Sequence, residues 1–197
     1  MLRGHDGDEL RCVLHDEGRD GAGVVFPGAG YAPHAPLLYY ARRALGRRSL
    51  AVLEVWWDYR RVPQDVPDGL LEEWIGEDAL AALAAVEDYD PLVLVGKSLG
   101  TIALATLFRT GDLGRTPSIW LTPLLGREAV RKALASLAAP ALVALGTADP
   151  FSDPALLPRG RFETLVVEGA DHGLELPDPV ASVDALRRVV EAMARFL

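Results

Sequence analysis

Short apolar runs alternate along this chain with longer stretches in which apolar residues recur three and four positions apart. The runs at 10–14, 24–26, 50–56, 92–95, 118–121, 141–145 and 164–167 are rich in Val, Leu and Ile and predict strands. The stretches at 35–45, 70–86, 99–108, 128–137 and 179–196 carry the helical period. Near-continuous apolar strands separated by such helices predict an α/β protein, with a mostly parallel sheet of about seven strands covered by helices on both faces. The 19 Gly and 14 Pro are spread as punctuation between elements, with no repeat and no linker-like tract, so residues 1–197 read as one domain.

Composition narrows the partners. Lys plus Arg number 20 against 28 Asp plus Glu, a formal charge of -8, so the long-range field repels polyanions and nucleic-acid binding is not expected. The longest apolar stretch, 79–86, lies between Glu77-Asp78 and Glu87-Asp88 and is far shorter than the roughly 18 residues that span a bilayer. The charged start Met1-Leu2-Arg3-Gly4-His5-Asp6 lacks the apolar run of a secretory signal. No membrane association is expected, and the cytoplasm is the expected compartment. The one cysteine, Cys12, cannot form an intrachain disulfide and reads as a buried small hydrophobe. The pairs Arg42-Arg43 and Arg47-Arg48 read as a solvated helix face. No His-Glu-x-x-His or comparable ligand cluster occurs, so neither metal nor cofactor is expected.

The most informative segment runs from the apolar strand at 92–95 into Gly96-Lys97-Ser98-Leu99-Gly100 and then into a helix. A serine on so sharp a strand-to-helix turn is strained, and side chains two positions either side would meet the crossing chain, which Gly96 and Gly100 avoid. The turn lifts the Ser98 hydroxyl above the sheet, and the Leu99 N–H at the positive end of the following helix can stabilise an oxyanion. A phosphate-binding loop would need glycine where Pro91 stands and flexible residues where the strand stands. A serine that simply caps the helix is the competing reading.

A serine hydroxyl needs a base, and the base needs a carboxylate. Of the four histidines, His172 follows the last predicted strand, in Gly169-Ala170-Asp171-His172-Gly173. Asp149 follows the preceding strand, in Gly146-Thr147-Ala148-Asp149-Pro150, with Asp153 as a fallback acid and Asp171 disfavoured by its adjacency to the ring it would orient. Loops at carboxyl strand ends are where a parallel sheet presents ligand-facing groups, and the order Ser, Asp, His suits this architecture. The loop Pro27-Gly28-Ala29-Gly30-Tyr31 offers a second oxyanion donor at Ala29, with Gly30 as substitute. A dinucleotide fingerprint there is disfavoured by Pro33 at the third glycine position. Tyr31, His34 and the aromatics Trp56, Trp57 and Tyr59 are candidates to line a substrate pocket, against ordinary packing or helix-start roles.

These residues resemble the α/β-hydrolase family, and more narrowly its small cap-less members related to dienelactone hydrolases and short carboxylesterases. The resemblance spans nearly the whole chain: Phe26-Pro27-Gly28-Ala29-Gly30 is similar to the oxyanion loop, 96–100 to the nucleophile elbow, 145–151 to the acid turn and 169–174 to the histidine loop. It implies a three-layer α/β-hydrolase fold and hydrolysis of a small ester or thioester by a cofactor-independent Ser98, Asp149, His172 triad. Three departures stand out. Pro27 occupies a position often held by His, Ser98 stands where dienelactone hydrolases proper use Cys, and only residues 122–127 separate a strand from its helix where a cap would insert. A non-hydrolytic use of the same scaffold, as a lyase, cyclase or partner-binding pseudoenzyme, is the alternative.

Overall fold

The computed structural model describes residues 2–16, 19–57, 68–111 and 113–197. A short hairpin of β1 (Leu2–Arg3) and β2 (Glu9–Leu10) precedes the main sheet. The sheet itself comprises β3 (Cys12–His15), β4 (Gly21–Phe26), β5 (Leu50–Val55), β6 (Leu92–Lys97), β7 (Ser118–Leu121), β8 (Ala141–Gly146) and β9 (Phe162–Val167). Their order is β3-β5-β4-β6-β7-β8-β9, antiparallel only at β3–β5.

Alternating side chains on each strand build two cores. Val24, Phe26, Leu94, Trp120 and Val143 face α2 (Asp68–Ala84), α3 (Gly100–Thr110) and α4 (Glu128–Ser136). Val25, Val93, Val95, Ile119 and Leu142 face α1 (Pro36–Arg47) and α5 (Pro179–Phe196). Each helix offers its sheet an apolar stripe: Leu37, Leu38, Ala41, Ala44 and Leu45 on α1, and Ala185, Val189, Ala192 and Met193 on α5. The two helices start by different devices. Asp178 caps α5 by accepting from the Val180 N–H at 3.0 Å, whereas α1 begins at Pro36 and its Leu37 N–H donates to the Tyr31 hydroxyl at 3.1 Å.

The chain runs from β4 to one side, to β5, and then crosses back over the sheet to β6 on the other. This reversal leaves a crevice beyond the carboxyl ends of β4 and β6, the place where parallel sheets bind ligands. The connection from β7 to α4 is the short segment 122–127, leaving no cap there.

Three expectations are corrected. The predicted strand 10–14 divides at Arg11, because β2 pairs with β1 whereas β3 pairs with β5. The helix predicted over 70–86 spans Asp68–Ala84, its end tightening into a turn in which the Val86 N–H donates to the Leu83 carbonyl. Arg42 is not on a solvated face: its Nε lies 2.9 Å from a carboxylate oxygen of Glu54, which is buried on β5 and also contacts His15 Nε2 at 3.2 Å. A buried carboxylate needs such partners, and the pairing draws α1 and β3 onto β5. Arg43, Arg47 and Arg48 are exposed. Cys12 is half-buried against the core, and that burial pushes its thiol up to about 12.

Candidate active site

Ser98 sits between β6 and α3 with φ 54°, the left-handed region in which a non-glycine residue is strained. Its N–H donates to the Leu121 carbonyl at 3.0 Å, and its own carbonyl accepts from the N–H and hydroxyl of Thr101 at 2.8 and 2.6 Å. The turn is therefore held from both sides. The flanking glycines are required by contact: a Cβ on Gly96 would lie 2.5 Å from the Gly100 carbonyl oxygen, and one on Gly100 would overlap the Phe26 carbonyl.

Ser98 Oγ lies 2.7 Å from His172 Nε2, and His172 Nδ1 lies 2.7 Å from Asp149 Oδ2. The Asp149 side chain is fully buried, and its other oxygen accepts from the Phe151 N–H at 2.9 Å. Its loop and the His172 loop interlock. The Ala148 N–H donates to the Ala170 carbonyl at 3.0 Å, the Gly169 N–H donates to the Thr147 hydroxyl at 2.8 Å, and a Cβ on Gly146 would overlap the Ala170 carbonyl. Asp171 organises its own loop, accepting from the Gly173 and Glu175 N–H groups at 2.7 and 3.1 Å. Asp153 is used as a cap, accepting from the Ala155 N–H at 2.9 Å.

The loop after β4 closes on itself through reciprocal 3.2 Å bonds between Gly28 and Tyr31, with Gly30 at φ 64°. Gly28 presses against the elbow, where a Cβ would lie 3.0 Å from Ser98 Cβ. Ala29, next along, is exposed, and no hydrogen bond to its amide or to that of Leu99 occurs among the described residues. Tyr31 stacks over Lys97, the exposed His34 tilts against Trp56 at 5.6 Å, and Trp57 packs on Phe26 and Trp74 at 6.1 and 6.0 Å. Tyr59 lies outside the described residues.

Two neighbours escaped the sequence reading. Phe151 meets the His172 ring edge-on at 5.1 Å while 59% exposed, forming an apolar rim beside the imidazole. Lys97 is only 3% exposed, and its Nζ donates to the His172 carbonyl at 2.9 Å. A charged residue closing an otherwise apolar strand was the signal available for it. Among the described residues no group of three or more His, Cys, Asp or Glu is placed to hold a metal, and no helix is long and apolar enough to cross a membrane.

No protein-family model matches the sequence, and no curated protein matches it either. Solved structures do match over almost their whole length. Est1E from Butyrivibrio proteoclasticus, solved with ferulic acid bound, superposes with a TM-score of 0.74 at 15% identity, covering 100% of this chain and 97% of that one. An alpha-beta serine hydrolase homologue from Coxiella burnetii gives 0.72 at 18% identity, covering 100% and 96%. A serine hydrolase without lid from Xanthomonas campestris, XC6422, gives 0.71 at 19% identity, covering 100% and 93%. The sheet order, its switch point and these matches together establish that the chain has the cap-less α/β-hydrolase fold.

Proposed function

We propose that this protein is a serine hydrolase that cleaves small carboxylic esters or thioesters through an acyl-enzyme, as a single catalytic domain without a cofactor. The observation that carries the reading is the unbroken row from Ser98 Oγ through His172 to the buried Asp149, with both contacts at 2.7 Å. Helix capping requires no such row.

Ser98 Oγ attacks the acyl carbon and its proton passes to His172 Nε2. Asp149 accepts from Nδ1–H, fixing the tautomer and stabilising the imidazolium. The amides of Leu99 and Ala29 receive the oxyanion. Collapse breaks the acyl–oxygen or acyl–sulfur bond, and the leaving group departs with the proton from Nε2. Water then attacks the acyl-serine by the same route in reverse, releasing the acid and restoring Ser98. Tyr31, His34 and Trp57 remain proposed pocket residues, and Phe151, exposed against the His172 ring, joins them as a further candidate. The fold is shared with an esterase, RhEst1 from Rhodococcus, and with Est1E, which was solved with ferulic acid bound; both support an ester substrate.

Incubation with a fluorophosphonate and with short p-nitrophenyl esters tests the reading. Labelling and turnover are expected in the native protein, and Ser98→Ala should abolish labelling and reduce turnover by about 10⁵ to 10⁶. Labelling that persists in Ser98→Ala contradicts the assignment, and labelling without turnover of any ester or thioester favours a non-hydrolytic reaction.

A further inference from the structure

Lys97 stands one residue before Ser98, and its side chain turns inward where a lysine at a strand end would ordinarily extend to water. The aliphatic stem passes beneath the loop after β4, so that a Cβ on Gly28 would lie 3.0 Å from Lys97 Cδ. The ammonium then reaches two neutral acceptors: the backbone carbonyl of His172 at 2.9 Å and the face of Tyr31, whose centroid is 4.7 Å away. Among the described residues no carboxylate lies within ion-pair distance of it. A cation buried on a carbonyl dipole and a ring face is an unfavourable arrangement to maintain for packing alone.

We propose that Lys97 is a positioning residue whose ammonium ties the His172 loop to the Tyr31 loop behind Ser98, so that the imidazole is held on the serine while the amine carries its proton. The inference rests on the reading of Ser98 as the nucleophile. A charge-assisted hydrogen bond to a carbonyl is roughly twice as strong as a neutral one. The attraction to the ring face disappears altogether on deprotonation. Both changes loosen the loop that carries His172.

The groups that face the ammonium come from three loops: Tyr31 after β4, Asp149 after β8, and Asp171 and His172 after β9. Burial opposes the charge and outweighs the fields of Asp149 and Asp171, bringing Lys97 down to about 8. Tyr31 is pushed the other way by burial, up to about 12, and stays neutral over the same range. An alkaline loss of reactivity near pH 8 is therefore expected from Lys97 and not from Tyr31, and its absence in Lys97→Met assigns it.

The test is the second-order rate constant for fluorophosphonate labelling of Ser98 from pH 7 to 10, in the native protein and in Lys97→Met, with near-ultraviolet circular dichroism at each pH. The native rate should fall about tenfold in a step near pH 8 with the spectrum unchanged. Lys97→Met should label about tenfold more slowly at pH 7 and show no step. A native profile without the step overturns the inference even if Lys97→Met fails to fold, and so does a variant that keeps the native rate or the native step. If the variant does not fold, a native step at constant spectrum supports the inference. Absence of any labelling of the native protein overturns the hydrolase reading itself, an outcome distinct from a flat profile.

Discussion

Asp149 shows how narrowly one side chain can be constrained. One of its oxygens accepts from the Phe151 N–H and the other from His172 Nδ1. Asparagine has the same shape but only one acceptor oxygen, so its amide would have to face one of these two donors. Against His172, the amide forces the proton from Nδ1 to Nε2, where the ring can no longer take the serine proton. Asp149→Asn should therefore leave the fold intact and lower kcat by about 10⁴, measured on p-nitrophenyl acetate with circular dichroism as control. An unchanged kcat would remove Asp149 from the triad. The three residues of the row were legible in the sequence because each sits in a local pattern with chemical meaning, a glycine-flanked elbow and two glycine-rich strand ends. Lys97 was legible only as a charged residue closing an apolar strand, since that pattern does not tell a lysine that leaves the sheet from one that turns beneath a loop distant in sequence.

At the scale of elements, the elbow depends on how closely α3 and β4 approach. Phe26 pairs with Gly96 across the sheet, and its carbonyl occupies the space that a Gly100 side chain would need. Backbone cannot yield as a flexible side chain does, so Gly100→Ala must displace α3 or open the turn. A loss of about 3 kcal/mol in urea unfolding is expected, together with much slower phosphonate labelling of whatever remains folded. Native stability and labelling in this variant would mean that the elbow tolerates more space than the contact allows. The periodicity identified the five helices and the main strands because each buries one stripe or one alternating face against the sheet. It could not divide the strand at Arg11, since whether Leu10 pairs with Leu2 and Cys12 with Val55 is decided by distant chain. Nor could it distinguish Arg42 from Arg43: helical spacing places both near the surface, and only the position of Glu54 on β5 decides which is paired.

Over the whole molecule, the two cores on either face of the sheet support an internal cation that works against folding. The Lys97 ammonium has a folded value of about 8, below the 10.5 of a free lysine. Between those values the unfolded chain binds the extra proton, so unfolding free energy rises with pH across that window. The unfavourable contribution, about 3 kcal/mol at neutral pH, fades toward pH 10 as the unfolded state also loses its proton. The remaining charges of this acidic chain add their own pH dependence through self-repulsion, but native protein and Lys97→Met share them, and they largely cancel in their difference. Urea unfolding of the two at pH 7 and pH 10 should therefore show the native protein gaining about 2 to 3 kcal/mol relative to the variant. A difference that does not move with pH would mean that the lysine is not buried as a cation. Reactivity and stability are expected to run in opposite directions through the same titration, because the protonated amine that holds the His172 loop in place is also the group that the apolar interior disfavours.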